Sequence, residues 1–215
     1  AYDARVAQAL GPGMRILDVG SGRTPSLAPD ARPPGCHYVG LDVSSVELEA
    51  APSGWYDEIV VADVAQRVPE LEGRFDLVVS LQVLEHVRPL PVAMENLRSY
   101  LAPGGCLIAQ LSGAYSVYGV VNRLIPQSVA LWLLKHLLAR PVDTVFPAYY
   151  HRCHSRGLNQ IFANWSAAEV HSEWWGAGYF AFSRPLQSIY VGFEEWIRLS
   201  GYTNLAPYYV VEART

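Results

Sequence analysis

The chain is short of the features that most quickly reveal a function. Lysine is nearly absent: of 16 basic residues only Lys135 is a lysine, and the formal net charge is -4. No basic run exists, which argues against binding driven by attraction to a nucleic-acid backbone. Cysteine is scarce and unpaired in pattern. Cys36, Cys106 and Cys153 are far apart and odd in number, so neither a disulfide framework nor a zinc site is expected, and a reducing cytoplasm is the natural setting. No signal-peptide pattern opens the chain. Long apolar runs are missing too. The longest, "SVALWLLKHLLA" at 128–139, is shorter than the ~20 residues needed to span a bilayer. It reads as a core or lid helix; the second reading is an interfacial helix touching a membrane surface or a lipid-linked substrate. Internal repeats and low-complexity segments are absent as well.

What remains is a regular alternation. Strand-length apolar runs stand at 15–19 ("RILDV"), 37–41 ("HYVGL"), 58–62 ("EIVVA"), 75–81 ("FDLVVSL") and 105–111 ("GCLIAQL"). Such continuous runs suit parallel strands buried on both faces. Between them lie helical stretches: 3–10, ending at Gly11-Pro12-Gly13; a segment that Ser44 can cap; and 92–101, stopping at Pro103-Gly104-Gly105. Two further strand-like runs come late, at 169–175 and 207–213. The expectation is one α/β domain over 1–215, a doubly wound, mostly parallel seven-stranded sheet. Residues 112–157 break the rhythm and read as an inserted lid that contributes to substrate binding.

In open α/β sheets, ligands bind outside the carboxyl ends of the strands. The first strand ends at Val19, so "GSGRT" at 20–24 lies at that mouth. Glycine there lets backbone approach a ligand and take positive φ. The turn lacks the Lys-Ser/Thr ending of a phosphate loop, and the dinucleotide pattern G-x-G-x-x-G fails because Pro25 stands where its third glycine belongs. Thr24-Pro25 reads instead as an N-cap and first residue of a short helix. The second strand ends in Asp42, where an acid can accept both hydroxyls of a ribose. The third is followed by Asp63, which can accept from an adenine amino group. Each acid could also cap a local turn or helix, but three acids at successive strand ends suit a ligand carrying a cation, a ribose and an adenine.

With these residues in place, the chain resembles the class I S-adenosylmethionine-dependent methyltransferases. The likeness rests on "ILDVGSG", "YVGLDVS", "VADV", "FDLVVSLQVLEHV" and "LRSYLAPGGCLIAQ", in family order and spacing over roughly the first 112 residues. It implies a Rossmann-like methyltransferase fold with S-adenosyl-L-methionine as cofactor. Asp18, Gly20, Ser21 and Gly22 would border the methionine half, and Asp42 would hold the ribose. Asp63 would meet the adenine edge, Val43 and Val64 would sandwich the ring, and Ser80, Leu81 and Gln82 would form the floor near the sulfonium.

For a poorly acidic hydroxyl acceptor, methyl transfer also needs a base. Glu85 and His86, just past the fourth strand, are the first candidates, since histidine titrates near neutrality. Some relatives carry E-x-x-E-H here and bind a divalent metal. This chain has Gln82 in place of the first carboxylate, a weaker ligand for a hard cation, so no metal is expected. The second cluster is "YYHRCHSRG" from Tyr149. Tyr149, Tyr150 and Arg152 suit a substrate pocket, and His151, His154 or Tyr150 could take part in catalysis. The bland alternative is an aromatic lid packed on the apolar helix. Bacterial methyltransferases with a similar "YYR" segment look like tailoring enzymes for envelope glycans or secondary metabolites. The expectation is therefore O-methylation of a sugar, glycolipid or secondary metabolite. The alternative is a catalytically inactive cofactor-binding scaffold acting through its aromatic surface. A nicotinamide oxidoreductase is disfavoured by the failed fingerprint. A nucleic-acid methyltransferase is disfavoured by the charge, and by "SLQV" standing where an amide-Pro-Pro-aromatic motif would be needed.

Overall fold

A computed structural model describes residues 1–124 and 147–215. Seven strands form one sheet: β1 (Arg15–Val19), β2 (His37–Asp42), β3 (Glu58–Val61), β4 (Phe75–Leu81), β5 (Leu101–Ser112), β6 (Ala167–Glu173) and β7 (Tyr208–Arg214). Their order is β3-β2-β1-β4-β5-β7-β6. The contacts of β1 through β5 are parallel, and β7 runs antiparallel to both β5 and β6. The order reverses beside β1, between β2 and β4, which puts the topological switch point at the turn after Val19.

The period-two alternation of each strand assigns its side chains to one of two layers. Leu17, Val19, Val39, Leu41 and Val78 face the layer completed by α3 (Leu90–Tyr100), through Leu90, Ala93, Met94 and Leu97. Ile16, Tyr38, Leu77, Val79 and Ile108 face α1 (Tyr2–Ala9), through Tyr2 and Val6. Burial of both faces explains why these strands read as continuous apolar runs. The short α2 (Ser45–Glu49) is capped as expected, Ser44 Oγ accepting from the Glu47 amide at 3.3 Å. The remaining helices are α4 (Val117–Leu124), α5 (Ser155–Ile161) and α6 (Arg184–Leu199). No helix among the described residues is long and apolar enough to cross a membrane. The 128–139 run lies outside the described residues, as does the middle of the expected 112–157 insertion.

Three local expectations need correction. Thr24-Pro25 starts no helix; the only helical turn in that connection is a 3-10 turn at Pro29–Ala31. The reason is Asp18, which shares the Ile16 side of β1 and is fully buried in the α1-facing layer. Its carboxylate accepts from the Ser26 amide at 2.7 Å, the Ser26 hydroxyl at 2.8 Å and the Tyr38 hydroxyl at 2.5 Å. The amide of Ser26 is thereby tied back to β1 and does not enter a helical ladder. Second, α3 ends at Tyr100 rather than at Pro103, because Leu101 turns extended (φ -70, ψ 136) and starts β5. The residues Pro103-Gly104-Gly105 are absorbed by a register irregularity against β4. Third, β6 begins two residues earlier than expected and ends before Trp174-Trp175.

The Asp18 contacts give a stability prediction. Hydrogen bonds to a charged group contribute about 1.5–3 kcal/mol each. Tyr38→Phe is expected to lower unfolding free energy by about that amount in urea titrations, with the denaturant slope unchanged.

Candidate active site

The mouth of the sheet is built around the turn that follows β1. Gly20 (φ +70) and Gly22 (φ +47) both occupy the left-handed region. A Cβ at Gly20 would lie 2.3 Å from the Val83 side chain, and one at Gly22 would meet the Asp42 carboxylate at 3.5 Å. The Gly20 amide donates to the Leu41 carbonyl at 2.7 Å, and the Tyr56 hydroxyl donates to the Gly22 carbonyl at 2.9 Å. Bare backbone is thus presented at the switch point, fixed from both sides.

Asp42 stands half-buried at the end of β2, next to this turn. Its Oδ1 accepts from the Ser44 amide at 2.9 Å, and burial holds its carboxyl above the usual range. Glu47, also close to Gly22, is paired with Arg23 through two hydrogen bonds, 2.5 and 2.7 Å, which hold its carboxyl below the usual range. Asp63 is exposed past β3, its Oδ1 accepting from the Ala65 amide at 2.8 Å. Val43 is largely exposed at 61%, whereas Val64 is buried in the α3-side core at 6%. Two expected residues stand behind the mouth rather than in it. Asp18 is committed to Ser26 and Tyr38, and Ser80 Oγ donates to the Val19 carbonyl at 3.1 Å, tying β4 to β1. The Ser21 side chain is buried in the turn and Leu81 is exposed at the end of β4.

The turn after β4 collects strained and buried polar groups. Gln82 is a non-glycine residue at φ +58, a conformation that costs energy and collects at functional sites. Its Oε1 accepts from Ser112 Oγ at 2.7 Å, while its Nε2 is buried without a partner. Glu85, on the 3-10 turn Leu84–His86, is 3% exposed. One oxygen accepts from the Ser112 amide at 3.3 Å; the other is buried and unpartnered. Burial raises the Glu85 carboxyl, with His86 acting in the opposite sense. A buried donor and a buried acceptor without partners, meeting at one serine at the ends of β4 and β5, mark a polar site that a ligand or water completes.

The structure brings the second predicted cluster onto this turn. The amides of Tyr149 and Tyr150 both donate to the Glu85 carbonyl at 2.9 Å, and the Cys153 carbonyl accepts from the Ala114 amide at 2.6 Å. Three histidines result with different free atoms. His86 Nδ1 faces the Pro147 carbonyl at 3.1 Å. A carbonyl only accepts, so this nitrogen carries the proton and Nε2 keeps its lone pair. His151 Nδ1 instead accepts from the Leu90 amide at 3.2 Å, and His154 Nδ1 accepts from the Gly157 amide at 3.1 Å as the N-cap of α5. Both have spent their lone pair on a helix start. Tyr150 is buried, takes a hydrogen bond from Asn122 Nδ2 at 3.3 Å, and burial raises its hydroxyl above the ordinary range. Tyr149 and Arg152 remain exposed at the edge.

Sequence reasoning missed Ser112, Tyr118 and Tyr208; Tyr179 lies in the aromatic run 173–185, which could be read as lining the pocket or a dimer surface. Tyr118 stacks on Tyr179 at 4.0 Å between ring centroids, and Tyr208 stacks on Trp175 at 3.8 Å. The Glu85 carboxylate is close enough to raise the hydroxyls of Tyr179 and Tyr208, burial being the larger cause. Ser112 was findable, since it ends β5 at the same mouth. Tyr118 and Tyr208 come from two distant segments and carried no local signal. Among the described residues no group of three or more His, Cys, Asp or Glu side chains is arranged to hold a metal ion.

A glycine turn at the switch point, an acid at the next strand end and an acid after the third define a nucleoside-binding α/β enzyme. The residues fit a nucleoside with a charged tail: a Cβ-free turn, a half-buried acid beside it and an exposed valine next to that acid. A family model described as "Methyltransferase domain" matches residues 2–179, and the chain belongs to this family, the class I S-adenosylmethionine-dependent methyltransferases, whose cofactor is S-adenosylmethionine. The chain is similar to the ubiquinone biosynthesis O-methyltransferase of Brucella anthropi, 32% identical over 114 residues, covering 50% of this chain and 45% of that protein. A second, from Chelativorans sp., is 31% identical over 99 residues, covering 44% and 39%. The chain thus spans less than half the length of these curated relatives. Among solved structures, an S-adenosylmethionine-dependent methyltransferase from Archaeoglobus fulgidus aligns with a TM-score of 0.60 at 15% identity, covering 99% of this chain and 90% of that one. Phosphoethanolamine N-methyltransferase 2 of Haemonchus contortus, bound to S-adenosyl-L-methionine, aligns at 0.61 and 14% identity, covering 100% and 52%. At these identities the structures bear on the fold alone.

Glu85 gives a testable pH dependence. Its folded carboxyl is raised above the unfolded value of about 4.3. Its contribution to stability is therefore full below that value and is lost as pH rises through the folded pKa. Glu85→Gln keeps a carbonyl oxygen for the Ser112 amide and removes the titration. The difference in melting temperature, variant minus wild type, is expected to grow as pH rises above about 4.3. A constant difference across that rise contradicts the assignment.

Proposed function

We propose that this chain transfers a methyl group from S-adenosylmethionine to a hydroxyl of a small acceptor, with His86 Nε2 as the base. The observation that carries this reading is the His86 ring: its Nδ1 proton is directed to the Pro147 carbonyl, which leaves the lone pair on Nε2. When bound, the cofactor supplies an electrophilic methyl on a sulfonium. The chain's own residues do the rest. Gly20, Ser21 and Gly22 border the methionine half and Asp42 accepts the ribose hydroxyls. Asp63 takes the adenine edge, Val43 flanks the ring, and Leu81 and Gln82 form the floor. Asp18 and Ser80 hold these elements in register from behind. Transfer turns the acceptor hydroxyl into a methyl ether and the sulfonium into a thioether, the hydroxyl proton going to His86 Nε2. Glu85 lies beside the imidazolium so formed and offsets its charge.

Oxygen as the acceptor atom is supported by the curated relatives, which carry the name O-methyltransferase over the matched half. The acceptor is a sugar, glycolipid or secondary metabolite. Aromatic rings at the rim, Tyr149 and Tyr118 among them, offer flat faces to such a body. The modest negative charge without a basic run supports a small-molecule partner over nucleic acid, and the unpaired cysteines support a cytoplasmic setting.

Two measurements test this. Calorimetric titration with S-adenosylhomocysteine is expected to show one site. Asp42→Ala is expected to weaken it by about 1.5–3 kcal/mol, roughly tenfold to over a hundredfold. In a methyl-transfer screen over hydroxylated sugars, lipid-linked glycans and phenols, His86→Ala is expected to lower kcat about 10²–10⁴-fold with cofactor affinity unchanged. Cofactor binding without turnover on any acceptor would instead support a binding scaffold.

A further inference from the structure

At the start of β7, where Tyr208 pairs with Ser112, lies a cavity of about 150 Å³. Tyr115, Trp174, Tyr190, Phe193 and Ile197 wall it, and Glu194 is the one charged residue among its described lining. The cavity is small: its volume is about that of five water molecules in the liquid. It has room for a compact ion and none for a nucleotide.

Glu194 sits on α6 and is 6% exposed. Its Oε1 accepts from the Gly176 amide at 2.9 Å and so pins the 3-10 turn Gly176–Phe180 to the helix. Its other oxygen takes no hydrogen bond and no ion pair among the described residues. Burial accordingly raises the carboxyl above its usual range. A glutamine would hold the Gly176 amide equally well without the cost of burying a charge. What the acid adds is charge, directed at a cavity whose other walls are aromatic and apolar. Tyr190 stands between Phe180 and Phe193, with ring centroids 4.6 and 6.1 Å away. Ring faces attract cations, most strongly where water is excluded.

We propose that this cavity binds a small alkylammonium ion, its charge against Glu194 and its carbons against Tyr190, Phe193 and Trp174. Its lining includes none of the residues assigned to methyl transfer, and Val117 and Pro207 place it next to Tyr118 and Tyr208.

The probe is tetramethylammonium chloride, added to the purified full chain at constant ionic strength. The readout is the indole NMR signal of Trp174, assigned by its loss in Trp174→Phe. A saturable shift is expected, with tert-butanol, a neutral molecule of similar shape, binding at least about tenfold more weakly, or ~1.4 kcal/mol. Glu194→Gln, which keeps the Gly176 contact, is expected to lose tetramethylammonium affinity by a similar factor. Phe193→Leu, which keeps bulk and removes a ring face, is expected to weaken it by a smaller factor. The proposal is overturned if no saturable shift occurs, if tert-butanol binds as tightly as the cation, or if Glu194→Gln binds the cation as wild type does. Should Glu194→Gln fail to fold, the preference for cation over alcohol and the Phe193→Leu variant decide the matter.

Discussion

The buried Asp18 carboxylate anchors the cofactor end of the molecule. Taking a carboxylate out of water costs several kcal/mol unless it is fully hydrogen-bonded, and here one amide and two hydroxyls meet it. Those contacts draw residue 26 back against β1 and join β1 to β2 through Tyr38. The five-residue span between Gly20 and Ser26 is then too constrained to begin a helix. Its backbone stays open at the switch point, with the positive φ values that only glycine accepts cheaply. Asp42 and the Arg23–Glu47 pair close around that turn from the β2 side.

Glu85 plays the corresponding part at the turn after β4. Its backbone carbonyl receives both Tyr149 and Tyr150 amides, and its side chain receives the Ser112 amide. One residue therefore joins the turn after β4, the end of β5 and the segment that returns at 147. The same docking decides the fate of three histidines. His151 and His154 give their lone pairs to helix starts, and His86 keeps one because a carbonyl faces its other nitrogen. The orphaned atoms of Gln82 and Glu85 are consistent with a site completed by its ligand.

Much of this was legible in the sequence. The first five strands and the Ser44 cap fall where hydrophobic runs and capping residues put them, since strands buried on both faces need long apolar runs. The acids at 42 and 63 were legible because strand ends in an open sheet share one edge. The helix expected at Thr24-Pro25 was not there: local capping preference lost to a carboxylate eight residues earlier. The Pro103-Gly104-Gly105 stop was misjudged because a strand can take up such a segment as a register irregularity. Val64 also illustrates the limit, as its burial against α3 depends on a helix thirty residues later in the chain.

The sequence by itself determined the class of fold, the family and the edge of the sheet to which the glycine turn and the acids at 42 and 63 belong. Those follow from periodicity and from motif order, which are local and read in one dimension. Only the tertiary structure decided which histidine retains a free lone pair and which buried acids lack partners. It alone showed that Tyr179 and Tyr208 lie near Glu85, with Tyr118 stacked on Tyr179, and that Glu194 lines an aromatic cavity. Each of those depends on the partner a side chain meets across a gap of many residues, and a hydrogen bond or a ring contact is set by that partner rather than by its neighbours in the chain.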